Sequence, residues 1–341
     1  MLTTDFDYFL PKELIAQSPV EPRDQARLLV MDKEHGTLTH RTFKDILDYL
    51  SPEDVLVINN TKVLPARLLG LRRDTGGKVE VFAIRNISGN KWEAQVKASG
   101  NIRAGEIIDF GLAGSAEYVK KLPNGLSIVI LSSERILEEH GLMPLPPYIK
   151  QDLKRPDRYQ TVYAKHLGSA AAPTAGLHFT DELLTAVKSQ GVTIAEVTLH
   201  VGVDTFRPVH EDDPINHEIH KEYWYLSDVA ADAINTAKIK GGKVICVGTT
   251  TVRLLEHAAS LSDGLPMASG SGMADLYILP GFPFKITDAM ITNFHLPCST
   301  LLMLVSAFSS REHIIGAYQE AINKKYRFYS FGDAMYIPSK S

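Results

Sequence analysis

Cysteine is nearly absent: Cys246 and Cys298 are the two in 341 residues. They cannot form a disulfide framework, and each reads as a small buried hydrophobe. No apolar run reaches the roughly 20 residues that a membrane-spanning helix needs. The opening MLTTDFDYFLPKEL is acidic and has no basic n-region, so no secretory signal is read. The expectation is a cytoplasmic protein with no membrane partner. Basic charge is also short, with 36 Lys and Arg against 40 Asp and Glu and a formal net charge of −4. A nucleic-acid partner would therefore need a local basic patch. There is no GxxxxGKS/T loop and no GxSxG elbow, which removes P-loop and α/β-hydrolase chemistry. No internal repeat or low-complexity segment occurs.

What is present is ordinary globular composition, 44% hydrophobic and 22% charged. From Ala66 to about Leu131 the chain reads as short strands: ARLLGLRR, KVEVFAIRN, KWEAQVKAS, EIIDFGL, AEYVKKL and LSIVIL. Turn segments DTGG, ISGN, GNIRAG and PNG separate them, which predicts a small barrel or sandwich. Elsewhere strands alternate with helices. DVLVINN, Val192–Val201, Lys243–Gly248 and AMITNF read as strands. Helices are expected after Thr180, over Asp228–Lys240, over Thr251–Ser260, and over Ser299–Phe308 and Glu312–Lys324. The fold class expected is α/β: a three-layer α/β/α domain, residues 1–65 and 149–341, with an inserted β-barrel over 66–148. The Pro-rich MPLPPYIK is the return linker.

Ligands bind beyond the carboxyl ends of strands in open α/β sheets. Five polar tails fit that place: NNTKVLPAR, HVGVDTFRP, GTTTVR, NFHLPCST, and SFGDAM after YRFY. Together they suggest one large polar cleft. His178, His200 and His295 lie in or beside these tails. A lone His is more often structural, but three beside Gly, Thr and Asn are candidates for proton carriers. Gly and Thr in GTTTVR leave backbone N–H groups for an anion, and Arg253 offers a bidentate fork. The HEIH sequence around His217 and His220 has i, i+3 spacing, not that of a zincin helix, and reads as a polar loop rather than a metal site. GSGM resembles part of a dinucleotide fingerprint, but SDGLPMAS precedes it where a strand is required. Basic residues cluster in KRPDRYQ and KKYR, with tyrosines interleaved in the first, a mix that suits a nucleic-acid groove.

NNTKVLPARL, RYQTVYAK, GSAAAPTAGLHFT, TLHVGVDTFRPV, VGTTTVRLLE, ITNFHLPCSTLLMLVSAF and YRFYSFGDAM stand in this order along essentially the whole chain. Together they resemble the S-adenosylmethionine:tRNA ribosyltransferase-isomerases of queuosine biosynthesis. Cys298 departs from the family pattern where a basic residue is common, and Asp204 where Gly is common.

The resemblance implies transfer of the ribosyl part of S-adenosylmethionine onto the aminomethyl group of a 7-deazaguanine in a tRNA anticodon. Adenine and methionine would leave. The alternative is another S-adenosylmethionine-using RNA-modifying enzyme. No cofactor and no metal are expected, since S-adenosylmethionine is consumed. The partners implied are S-adenosylmethionine and a tRNA anticodon stem-loop, on a monomer. Catalytic roles then fall to His178, His295, His200 and Asp333, the last as a carboxylate balancing the sulfonium. Substrate contacts fall to Asn60, Lys62, Arg67, Thr174, Gly176, Thr205, Arg207, Thr249, Thr250, Arg253 and Asn293. Contacts to tRNA fall to Arg155, Arg158, Tyr159, Lys324 and Arg327. AAAPTAGLHFT reads as a pocket wall in which small residues admit a flat base and His178 presents a proton carrier over the sugar.

Overall fold

A computed structural model of the chain describes every residue except 124, 152, 154, 203–207, 263, 340 and 341. The chain forms two compact units. One is Met1–Lys62 with Pro146–His166 and Ala172–Ser341, and the other is Val63–Leu145 with Leu167–Ala171. Each break falls a few residues before the expected one. The return of Leu167–Ala171 to the smaller unit was not anticipated.

The smaller unit is a closed six-stranded barrel. Its order is Ser127–Leu131, Lys91–Ala98, Lys78–Ser88, Arg67–Arg72, Ile107–Asp109 and Ser115–Lys121. All neighbours are antiparallel. Alternate residues Val79, Val81 and Ala83 point inward with Leu68, Ile108 and Val129. Closure leaves no free edge to pair with another chain.

The larger unit is built on a nine-stranded sheet. Its order is Gly270–Ala274, Glu222–Leu226, Thr193–Leu199, Val55–Asn59, Val244–Val247, Ala289–Asn293, Ala334–Ile337, Arg27–Met31 and Leu38–Thr42. The four strands from Thr193–Leu199 to Ala289–Asn293 are mutually parallel. Three of them are buried at every position, as continuous Val/Ile/Leu runs require when both faces are covered. One face carries Leu56, Ile58, Ile245, Val247 and Ile291 against Phe43, Ile46, Phe179, Leu183 and Val187. The last three belong to the Thr180-capped helix Asp181–Ser189 and the residue before its cap. Helices Asp228–Ile239 and Thr249–Leu261 pack on the same strands. This is the layered α/β arrangement the sequence predicts. GSGM is itself part of the edge strand Gly270–Ala274.

The parallel strands put Asn60, His200, Gly248 and His295 at one edge of the sheet. The fifth tail arrives differently. Residues 326–329 form no strand, and SFGD precedes the strand Ala334–Ile337 instead of following one. That strand is antiparallel to Ala289–Asn293, with Ala334 opposite Asn293. Asp333 therefore reaches the same edge from the opposite direction.

Candidate functional site

Two adjoining clefts open at this edge, with empty volumes of about 490 and 630 Å³, and share Thr249, Thr250 and Leu301 in their walls. The first is lined by Thr174, Gly248, Asn293, His295, Tyr148 and Tyr329 among others, with no charged side chain in its wall. The second adds His217, His220, Glu222, Arg253 and Tyr277 to the apolar Ile219, Leu276, Ile278 and Leu304.

The turn between them is set by Gly248, whose φ of +91° lies in the region that favours glycine. The helix that follows starts at Thr249, two residues before the expected start. The first-turn N–H groups of Thr249 and Thr250 have no intrahelical acceptor and mark a place for negative charge. Asn59 buttresses the turn. Its Nδ2 donates to the Leu199 carbonyl (3.0 Å) and the Thr250 hydroxyl (3.4 Å), and its Oδ1 accepts from the N–H groups of Thr61 and Leu199, both at 3.1 Å. The expected residue here was Asn60. Its amide is turned inside instead, donating to Glu196 at 2.9 Å and accepting from Thr198 at 2.7 Å.

His178 requires a correction. The turn Thr174–His178 carries the imidazole behind the cleft wall, where it stacks on Phe43 at 4.8 Å. Its Nε2 accepts from Asn293 Nδ2 at 3.2 Å, and it hydrogen bonds with the backbone of Arg23. Burial pushes its pKa down to about 3, so the ring is neutral and committed. What faces the cleft is Asn293, whose Oδ1 accepts from the Thr174 hydroxyl at 3.0 Å. Gly176 is corrected too. A Cβ there would sit 1.9 Å from the Tyr163 hydroxyl, so the glycine answers a packing demand and touches neither cleft.

His295 does line the first cleft. Its backbone is clamped, with the N–H donating to the Tyr318 hydroxyl (2.9 Å) and the carbonyl accepting from the Tyr8 hydroxyl. Its Nε2 is 2.7 Å from the Thr292 hydroxyl, and Nδ1 has no hydrogen-bond partner among the described residues. Burial pushes this pKa down to about 3 as well. His200 lies in neither wall. It bonds the Thr61 hydroxyl at 2.8 Å and stacks on Tyr223 at 5.6 Å, and burial lowers its pKa.

Asp333 is not a free countercharge. Its two oxygens accept the backbone N–H groups of Arg27 (2.9 Å) and Arg327 (2.8 Å), and its burial raises the pKa. It pins the loop that presents Tyr329. That residue has a φ of +69°, which costs energy for a bulky side chain. The Tyr329 carbonyl accepts from Asn293 at 3.2 Å. Its ring packs on Tyr148 at 4.7 Å, and the Tyr148 hydroxyl lies 2.6 Å from that of Ser330. That Tyr329 lines the cleft was not read from the sequence, because nothing in YRFYSFGDAM announces a left-handed tyrosine.

Arg253 is not free for a ligand either. Its fork is spent on Glu222 (2.5 Å), and on the carbonyls of Leu276 (2.9 Å), His220 (2.8 Å) and Ala274 (3.2 Å). Arg67 lies on a barrel strand, paired with Glu80 at 2.7 Å. Lys62 is exposed. Thr205, Arg207 and Asp204 lie outside the described residues. Of the proposed tRNA contacts, Tyr159 is fully buried and cannot stack on a base. Arg155 pairs with Asp157 at 2.7 Å and Arg158 with Glu21 at 2.5 Å, while Lys324 is exposed and Arg327 donates to the Ser18 carbonyl. Among the described residues no group of three or more His, Cys, Asp or Glu is placed to hold a metal ion. Nor is any helix among them long and apolar enough to cross a membrane.

The family model described as "Queuosine biosynthesis protein" matches residues 3–337. The chain is 54% identical over 338 residues to the S-adenosylmethionine:tRNA ribosyltransferase-isomerase of Staphylococcus aureus strain JH9, covering 98% of both chains. The same figures hold for the enzyme of that name from strain Newman. The crystal structure of the S-adenosylmethionine tRNA ribosyltransferase of Thermotoga maritima is also similar. It has a TM-score of 0.56, is 35% identical, and the likeness covers 98% of this chain and 99% of that one. An α/β unit with a polar cleft at its strand ends, an accompanying six-stranded barrel, and likeness along the whole length agree: the chain belongs to the queuosine biosynthesis protein family.

Proposed function

We propose that this protein is an S-adenosylmethionine:tRNA ribosyltransferase-isomerase, moving the ribosyl group of S-adenosylmethionine to the aminomethyl group of a 7-deazaguanine in tRNA. The carrying observation is 54% identity over 98% of the chain to relatives of that name. The first cleft suits this chemistry, being wide and uncharged, with two tyrosine rings and the free N–H groups of Thr249 and Thr250. The leaving adenine gains negative charge, and an N–H aimed at it stabilises the departure. His295 supplies one. It does so in the tautomer that carries the proton on Nδ1, the nitrogen left without a protein partner, with the Thr292 hydroxyl turned from the Asn293 carbonyl to donate to Nε2.

The test is incubation with S-adenosylmethionine and tRNA that bears or lacks the 7-aminomethyl-7-deazaguanine. Adenine and methionine are expected with the modified tRNA only. Formation of S-adenosylhomocysteine would instead identify a methyltransferase. EDTA is expected to leave the rate unchanged, and loss of activity restored by zinc would overturn the metal-free reading.

Binding of tRNA is expected to weaken with salt despite the net charge of −4. Each phosphate contact adds roughly 0.7–0.9 to the log–log slope. Arg155→Ala with Arg158→Ala should flatten it, although both side chains are partnered in the free protein. A parent slope near zero would show that these arginines are ordinary surface.

A further inference from the structure

The proposed reaction needs a base as well as a leaving-group donor. The hydrogens on C5′ of S-adenosylmethionine sit beside a positive sulfur, which acidifies them, but a side chain must still take one. His295 is poorly suited. It is buried without a carboxylate behind it, and nothing in its wall would stabilise an imidazolium.

The second cleft offers a different arrangement. The short turn Pro214–Asn216, capped by the Asp213 side chain, delivers His217 into the wall. Its Nδ1 lies 2.9 Å from Glu211 Oε2, and Nε2 has no partner among the described residues. The ring leans edge-on against Tyr277, with centroids 6.0 Å apart. A carboxylate on one ring nitrogen does three things. It fixes the tautomer with the proton on Nδ1, it aims the Nε2 lone pair, and it stabilises the cation formed when Nε2 is protonated. The carboxylate that lines this wall, Glu222, is consumed by Arg253 at 2.5 Å, and Glu211 stands behind His217. The Glu211–His217 pair therefore carries the net negative charge that an approaching sulfonium cation would meet.

We infer that His217, oriented by Glu211, is the base that removes the C5′ proton of S-adenosylmethionine. The C–H electron pair stays on carbon as a carbanion beside the sulfonium. The proton goes to Nε2, and the neutral imidazole with its carboxylate becomes an imidazolium–carboxylate pair. This assignment rests on the reaction proposed above, and it gives a role to the HEIH segment, which sequence reading set aside as a polar loop.

The experiment uses S-adenosylmethionine deuterated at both 5′ positions, with the full-length enzyme and the modified tRNA. Deuterium release to water and product formation are followed in single turnovers. His217→Gln is expected to lower both by about 10² to 10⁴, the range for loss of a general base, with S-adenosylmethionine affinity and the melting curve near the parent's. Glu211→Gln, which keeps shape and loses charge, should lower both by a smaller factor. Deuterium release by folded His217→Gln at the parent rate overturns the assignment. If His217→Gln unfolds, Glu211→Gln decides, and parent rates there overturn it equally. A parent enzyme that yields adenine and methionine while retaining all deuterium overturns the base step alone. A parent that yields neither product overturns the reaction as well.

Discussion

Glu222→Ala is expected to cost the folded protein about 3–5 kcal/mol, the usual penalty for stranding one partner of a buried ion pair. The side chains of Arg253 and Glu222 are 12% and 5% exposed. Removing the carboxylate leaves a guanidinium held only by three carbonyls, and orphans the Gly202 N–H that Glu222 Oε1 now accepts at 2.7 Å. A double variant, Glu222→Leu with Arg253→Leu, should recover much of the loss, because no uncompensated charge remains. Urea unfolding of the parent, both singles and the double closes the cycle. Trp92→Phe makes Trp224, 3% exposed on the same strand and the same buried face as Glu222, the reporter for this unit. If Glu222→Ala keeps the parent's stability and loses only S-adenosylmethionine affinity, the Arg253 fork is ligand-facing after all.

Arg253 illustrates what could be read in the chain and what could not. GTTTVR predicted a strand end, a glycine turn and a helix start, because those signals are local. That the arginine is already taken depends on Glu222, which is 31 positions away and arrives on an adjacent part of the sheet. The same division holds for the histidines. His178, His200 and His295 were placed near the carboxyl edge, and topology puts them there. Only His295 turns its ring into a cleft, because the Thr174–His178 turn points His178 at Phe43 and the Thr61 hydroxyl holds His200 aside. SFGD was legible as a polar tail, but its direction was not. A strand that pairs antiparallel beside a run of four parallel strands has no mark of its direction in its own residues. The barrel was the most legible part, since its six strands alternate and its turns are rich in glycine. The Glu211–His217 pair was the least, since a polar loop of His and acidic residues looks the same whether or not two of them meet over a cleft.

Acid should destabilise the α/β unit well above the range where carboxylates protonate. His178 and His295 both have their pKa lowered from 6.5 to about 3 by burial. The folded state thus keeps both rings neutral, while the unfolded chain protonates them as pH falls below 6.5. Between those limits the unfolded state binds more protons, so stability is fully present above pH 6.5 and is lost as pH falls. Each fully released proton contributes about 1.4 kcal/mol per pH unit, so the two together give a slope of roughly 2.7 kcal/mol per unit between pH 5.5 and 4.5. Asp333, whose pKa is raised by burial, opposes this weakly near the lower end. His178→Gln preserves an amide acceptor for Asn293 and should remove about 1.4 kcal/mol per unit of the slope, even though it lowers stability at pH 7. His295→Gln should remove a similar share independently, and the double variant should keep only the smaller slope that His200 and His257, whose pKa values burial also lowers, contribute. Urea midpoints at half-unit steps from pH 7 to 4.5, again with Trp224 as reporter, measure the slope directly. A parent that is flat down to pH 4.5 would mean that the two rings accept protons in the folded state, which would restore His178 as a candidate proton carrier.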